Sequence, residues 1–127
     1  MKRKGSKSDY TAERNKELRA AFFSQETYST GDEQMKKLIR TPASRFWVDP
    51  EHARDVISRV KKDPEALRRM KPERERMYRA LMSRYDEIQR RNPRQSKLRC
   101  VSAAIYAGAP EFYIAPSTAR EIIYAKR

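Results

Sequence analysis

Cysteine and histidine are almost missing from this chain of 127 residues, with Cys100 and His52 the sole example of each. One thiol and one imidazole cannot assemble a structural zinc or iron–sulfur site, and a disulfide within the chain is excluded. Glycine is nearly as scarce, with three residues. None of them falls in a GxGxxG, GxxxxGKS/T or GxSxG pattern, so phosphate-cradling loops and the nucleophile elbow are absent. No apolar run approaches the roughly 18–20 residues of a membrane span. The start, Met1-Lys2-Arg3-Lys4-Gly5-Ser6-Lys7, is charged but has no apolar stretch behind it, unlike a secretory leader. The expectation is a cytoplasmic protein with no metal and no cofactor.

Apolar residues are also under-represented, at 38% against the usual ~45–50%, while the charged fraction of 37% exceeds the usual ~25%. The length suits one domain with a thin core. Thirty Lys and Arg face seventeen Asp and Glu, a net charge of +13. Such a chain attracts polyanions, nucleic acid first and anionic membrane second. Catalytic equipment is poor. His52 stands where its counterpart in a repeat described below is Thr118, Cys100 has no histidine near it in sequence, and the acids are scattered among basic partners with no magnesium-binding cluster. The chain reads as non-enzymatic.

Local signals predict mainly α structure. Ser8 or Asp9 caps a helix over about Tyr10 to Gln25, Asp32 caps a short one carrying Met35, Leu38 and Ile39, and Pro42 ends it. Asp49-Pro50 is a strong start for a helix burying Ala53, Val56, Ile57 and Val60, because Asp accepts an orphan N–H and Pro has none to lose. Asp63-Pro64 begins a short helix, and Lys71-Pro72 begins the longest, to about Arg91. Its Met77, Tyr78, Leu81, Met82, Tyr85 and Ile88 form one apolar stripe. Asn92-Pro93 stops that helix, Ser96 caps the next, and Gly108 terminates it in the left-handed conformation. A last helix runs from Pro116 to about Lys126.

An internal repeat runs across this pattern. Residues 43–57 align without gaps on residues 109–123, with identities at Ala43/Ala109, Phe46/Phe112, Pro50/Pro116, Ala53/Ala119, Arg54/Arg120 and Ile57/Ile123. Each unit reads as a short aromatic strand, Arg45-Phe46-Trp47-Val48 or Phe112-Tyr113-Ile114, leading into a proline-started helix. Strands this short need a partner, so the simplest arrangement pairs them in a two-stranded β element. The expected fold is a small helical domain over residues 9–127, with repeat units at about 43–61 and 109–126, behind a flexible basic tail at 1–8. Strand alternation puts Trp47 and Tyr113 on one face of the ribbon. They are either a stacking platform for nucleobases or core under a helix, and a chain so poor in apolar residues favours core for its only tryptophan.

Basic charge is uneven. Residues 63–100 hold twelve basic and six acidic side chains, and no acid occurs between Glu87 and Glu111. Glu75/Arg79, Asp86/Arg90 and Glu87/Arg91 have the spacing of intrahelical pairs. Three clusters exceed their local acids: the amino-terminal arm with Lys2, Arg3, Lys4 and Lys7; Arg68, Arg69, Lys71 and Arg74; and Arg90, Arg91, Arg94, Lys97 and Arg99. The third surrounds a helix start, where free N–H groups add to the attraction for phosphate. Base-specific readout has little support: the one helix pair resembling a helix-turn-helix has a connection of about eight residues where that motif uses ~3–4. Together these features predict an accessory or architectural protein that binds DNA or RNA through backbone phosphates, without sequence specificity. The competing expectation is an adaptor subunit of a larger assembly, or a self-associating chain, whose basic surface meets an acidic partner.

Overall fold

Short-range chemistry sets most of the helix boundaries. In the computed structural model, which describes residues 7–25 and 29–125, Asp49 Oδ2 accepts the backbone N–H of His52 at 3.0 Å, and Ser96 Oγ accepts that of Arg99 at 3.1 Å. These caps open α3 (Pro50–Lys62) and α6 (Lys97–Tyr106). Proline also opens α5 (Pro72–Arg91) and α7 (Pro116–Tyr124). The remaining described helices are α1 (Lys7–Phe23), α2 (Asp32–Ile39) and the single turn α4 (Glu65–Arg68). Gly108 takes φ 98° just past α6, as a left-handed helix terminator does.

Two starts differ from expectation. Helix α1 begins at Lys7, so Ser8 and Asp9 lie within it rather than capping it. Gly31 is the extended residue before α2, and Asp32 is the first helical residue, its carboxylate paired instead with Arg120 of α7. The expected arm at Lys2, Arg3 and Lys4 and the expected helix end at Lys126 lie outside the described residues.

The two-stranded ribbon does not form. A single antiparallel bridge joins Ala43 to Ala109, each N–H donating to the other's carbonyl at 2.9 Å. Beyond it the backbones leave extended geometry: Val48 N–H turns back to the Phe46 carbonyl at 3.1 Å, and Tyr113 has φ 58°. The donors that would have continued a ladder go to helix ends. Phe46 N–H donates to Ile105 O at 3.0 Å, and Phe112 N–H to Ile39 O at 2.8 Å. Free carbonyls in the last turn of a helix are ready acceptors, and here they outcompete a partner strand.

These bonds also reveal how far the duplication reaches. Phe46 matches Phe112 and Ile39 matches Ile105, so each helix-end bond is the image of the other, and the Ala43–Ala109 bridge is its own image. The ring stacks obey the same exchange: Phe46 on Tyr113 at 5.9 Å, and Trp47 on Phe112 at 6.4 Å. Packing follows, with α3 against α6 and α2 against α7. Helices α1 and α5 depart from the exchange: α1 packs on both α2 and α7, whereas α5 packs on α6 and α4. The repeat is a two-helix unit, α2–α3 and α6–α7, related by an internal pseudo-twofold axis, with α1 and α5 packed against it.

The core is one continuous cluster along that axis, with Phe46, Phe112, Tyr78, Tyr85, Ile57 and Ile105 among its most deeply buried residues. Cys100 is a buried free thiol. Arg84 spans the seam, donating to the Gly108 carbonyl with its guanidinium 5.3 Å from the Phe46 ring centroid. Among the described residues no helix is long and apolar enough to cross a membrane.

Candidate nucleic-acid interface

Helix α5 carries one basic cluster at each end, and its 20 residues separate them by about 30 Å. The two clusters therefore cannot share a phosphate. Near the amino end, Arg69 is neutralised by Asp63 at 2.6 Å, and Arg68 stands 4.0 Å from Glu65. Lys71 is exposed and has no ion pair among the described residues, while Arg74 reaches His52 Nε2 at 3.3 Å and lies 5.9 Å from the Tyr78 ring centroid.

At the carboxyl end the charges are freer than their spacing suggests. Glu75–Arg79 and Glu87–Arg91 pair within the helix at 2.8 and 3.0 Å. The expected Asp86–Arg90 pair does not form, because Lys61 of α3 reaches Asp86 first, at 2.8 Å. Arg90 is thus released. With Arg94 and Arg99 it forms an exposed corner between α5 and α6 that makes no ion pair among the described residues. Lys97 donates to Ser58 Oγ at 3.0 Å, a neutral partner that leaves its charge uncompensated. Ser96 closes one N–H at the α6 start and the rest of that first turn faces the corner. Lys7 begins α1, and Lys2, Arg3 and Lys4 precede the described residues.

The aromatic pair is placed differently from a stacking platform. Trp47 is 7% exposed and its ring lies on Phe112; Tyr113 is half-buried on Phe46 with Arg76 5.9 Å from its ring centroid. Each ring already has an intramolecular partner. Both nevertheless line one cleft of about 500 Å³, together with Tyr10 and Arg14 of α1 and Lys71 and Arg74 from the start of α5. The cleft straddles the pseudo-twofold axis, since Trp47 and Tyr113 are repeat equivalents on its two sides. Arg14 was not legible as a site residue: only the approach of α1 to the α5 start brings it there. Burial lowers the Arg14 pKa, partly offset by Tyr10.

Two donors in this region lack acceptors. The Trp47 indole N–H and the Tyr78 hydroxyl are buried without a hydrogen-bond partner, each a cost of roughly 1–3 kcal/mol. Burial pushes the Tyr78 hydroxyl up to about 12, with Arg74 pulling it back. Among the described residues, no group of three His, Cys, Asp or Glu side chains could hold a metal ion. Comparison with protein-family models, with curated proteins and with solved structures finds no match for this chain, so its functional reading rests on these residues.

Proposed function

We propose that this protein is a non-enzymatic accessory or architectural factor that binds nucleic acid through backbone phosphates, using the corner between α5 and α6 as its principal contact. The observation that carries the reading is the set of uncompensated charges there. Arg90, Arg94 and Arg99 are exposed without ion pairs among the described residues, next to a helix start, in a stretch of chain with no acid from residue 88 to 110. Guanidinium groups held at a turn and not committed to carboxylates are suited to phosphate oxygens. The basic residues Lys2, Arg3, Lys4 and Lys7 belong to the proposed phosphate-binding set as well.

The adaptor reading requires a contiguous exposed apolar patch. The exposed large apolar side chains among the described residues are Phe23, Tyr106 and Tyr124. Tyr106 lies under Arg45 and Tyr124 is bonded to Thr30 at 2.7 Å, so this feature lends that reading little support.

The test is fluorescence anisotropy of labelled single- and double-stranded DNA and RNA at about 50 and about 200 mM salt, a range over which several phosphate contacts cost orders of magnitude in affinity. Tight, steeply salt-dependent binding to at least one form is expected. Weak binding to every form at the lower salt would overturn the proposal in favour of an acidic protein partner.

A further inference from the structure

The cleft on the pseudo-twofold axis holds features that phosphate-backbone binding at the distant corner does not use. Its lining combines the cations Arg14, Lys71 and Arg74 with the single acid Glu73 and the aromatic side chains Tyr10, Trp47 and Tyr113. The first turns of α5 and α7 both open onto it through Lys71 and Ala115, and neither helix has a side-chain cap. Their leading N–H groups and dipoles favour an anion. Independently of the helix ends, Trp47 borders the cleft with a buried indole N–H that has no acceptor.

The volume of about 500 Å³ is within the range of small-molecule sites and much larger than one phosphate needs. A ligand matching this lining has an anionic head and a planar body. We propose that this cleft binds a phosphomonoester attached to a ring, with nucleoside monophosphate the simplest example, its phosphate on Lys71, Arg14 and the uncapped helix starts and its ring against the tyrosines. The same chemistry is offered by a free nucleotide and by the phosphorylated end of a strand.

Trp47 is the only tryptophan, so its emission reports directly on this cleft. The experiment titrates the full chain with adenosine 5′-monophosphate, adenosine, inorganic phosphate, and a short oligonucleotide with and without a 5′-phosphate, following tryptophan fluorescence. Saturable binding of adenosine 5′-monophosphate, at least about ten-fold tighter than adenosine or phosphate alone, is expected for a free nucleotide. A response confined to the 5′-phosphorylated oligonucleotide assigns the strand end. Lys71→Ala, at an exposed side chain without an ion pair among the described residues, weakens either response about ten-fold, whereas Glu73→Gln strengthens it. Lys36→Ala, exposed on α2 and outside the cleft, leaves it unchanged. These opposite signs cannot arise from a general loss of folding. No saturable change with any phosphorylated probe, or equal titrations for wild type, Lys71→Ala and Glu73→Gln, would overturn the proposal and leave the anisotropy result standing on its own.

Discussion

Replacing Arg90, Arg94 and Arg99 together by alanine separates a local phosphate site from bulk positive charge. Each phosphate neutralised on duplex DNA contributes about 0.9 to the slope of log affinity against log salt, so three lost contacts flatten that slope by about 2.7. Between about 50 and 200 mM, a span of roughly 0.6 decade, the affinity ratio of wild type to variant should shrink about forty-fold. The matched control removes the same number of charges from Arg69, Arg79 and Arg91, whose ion pairs are 2.6, 2.8 and 3.0 Å long. Those guanidiniums are already committed to carboxylates, and the control should flatten the slope by less than a third as much. Both triples remove exposed side chains, so the corner variant should melt within about 0.5 kcal/mol of wild type. Anisotropy titrations at four or five salt concentrations read the slopes. Equal flattening by the two triples would refute the corner as a site and leave only non-local attraction to a +13 chain.

Two predictions concern the fold that presents these surfaces. Gly108 has φ 98° and a Cβ there would meet nothing closer than the Ala43 carbonyl at 3.8 Å, so Gly108→Ala should cost about 1–2 kcal/mol through backbone conformation alone. Gly108→Asn should recover part of that loss in urea melts, and an alanine variant as stable as wild type would contradict the helix-terminator role. Tyr78 titrates at about 12 in the fold against 10.0 for the free side chain, because of its burial. Its neutral form therefore contributes stability that is complete below pH 10 and is lost as pH rises toward 12, up to roughly 3 kcal/mol. Tyr78→Phe should reduce that alkaline loss and raise stability near neutrality by about 1 kcal/mol, since a buried unpaired hydroxyl is removed; an unchanged alkaline melting profile would refute the assignment.

Positions of the helices were legible because their determinants are local. Asp49, Ser96 and the prolines at 50, 72 and 116 act within one turn of where they stand, and the buried stripes of α3 and α5 follow helical spacing. The duplication was legible too, as six identities in fifteen aligned residues. Its meaning was not. Hydrogen-bond donors at Phe46 and Phe112 could close a ladder with each other or reach the last carbonyls of helices at Ile105 and Ile39, far away in the chain, and sequence spacing cannot rank those choices. Alternation placed Trp47 on the face opposite Phe46, and the scarcity of apolar residues favoured core; it is buried, with its ring on Phe112, although the chain is not extended there.

For the candidate sites the division is the same. Composition alone established an excess of cations and the presence of one cysteine and one histidine. Which cations are free was decided in three dimensions: Lys61 captures Asp86 from another helix and releases Arg90, against the intrahelical spacing that favoured pairing them. The cleft is wholly tertiary, since Arg14, Trp47, Lys71 and Tyr113 come from four segments distant in the chain. Local sequence determines where helices start and how much charge they carry. Long-range packing, which selects among partners that are equally suitable chemically, decides which charges and donors are left for a ligand.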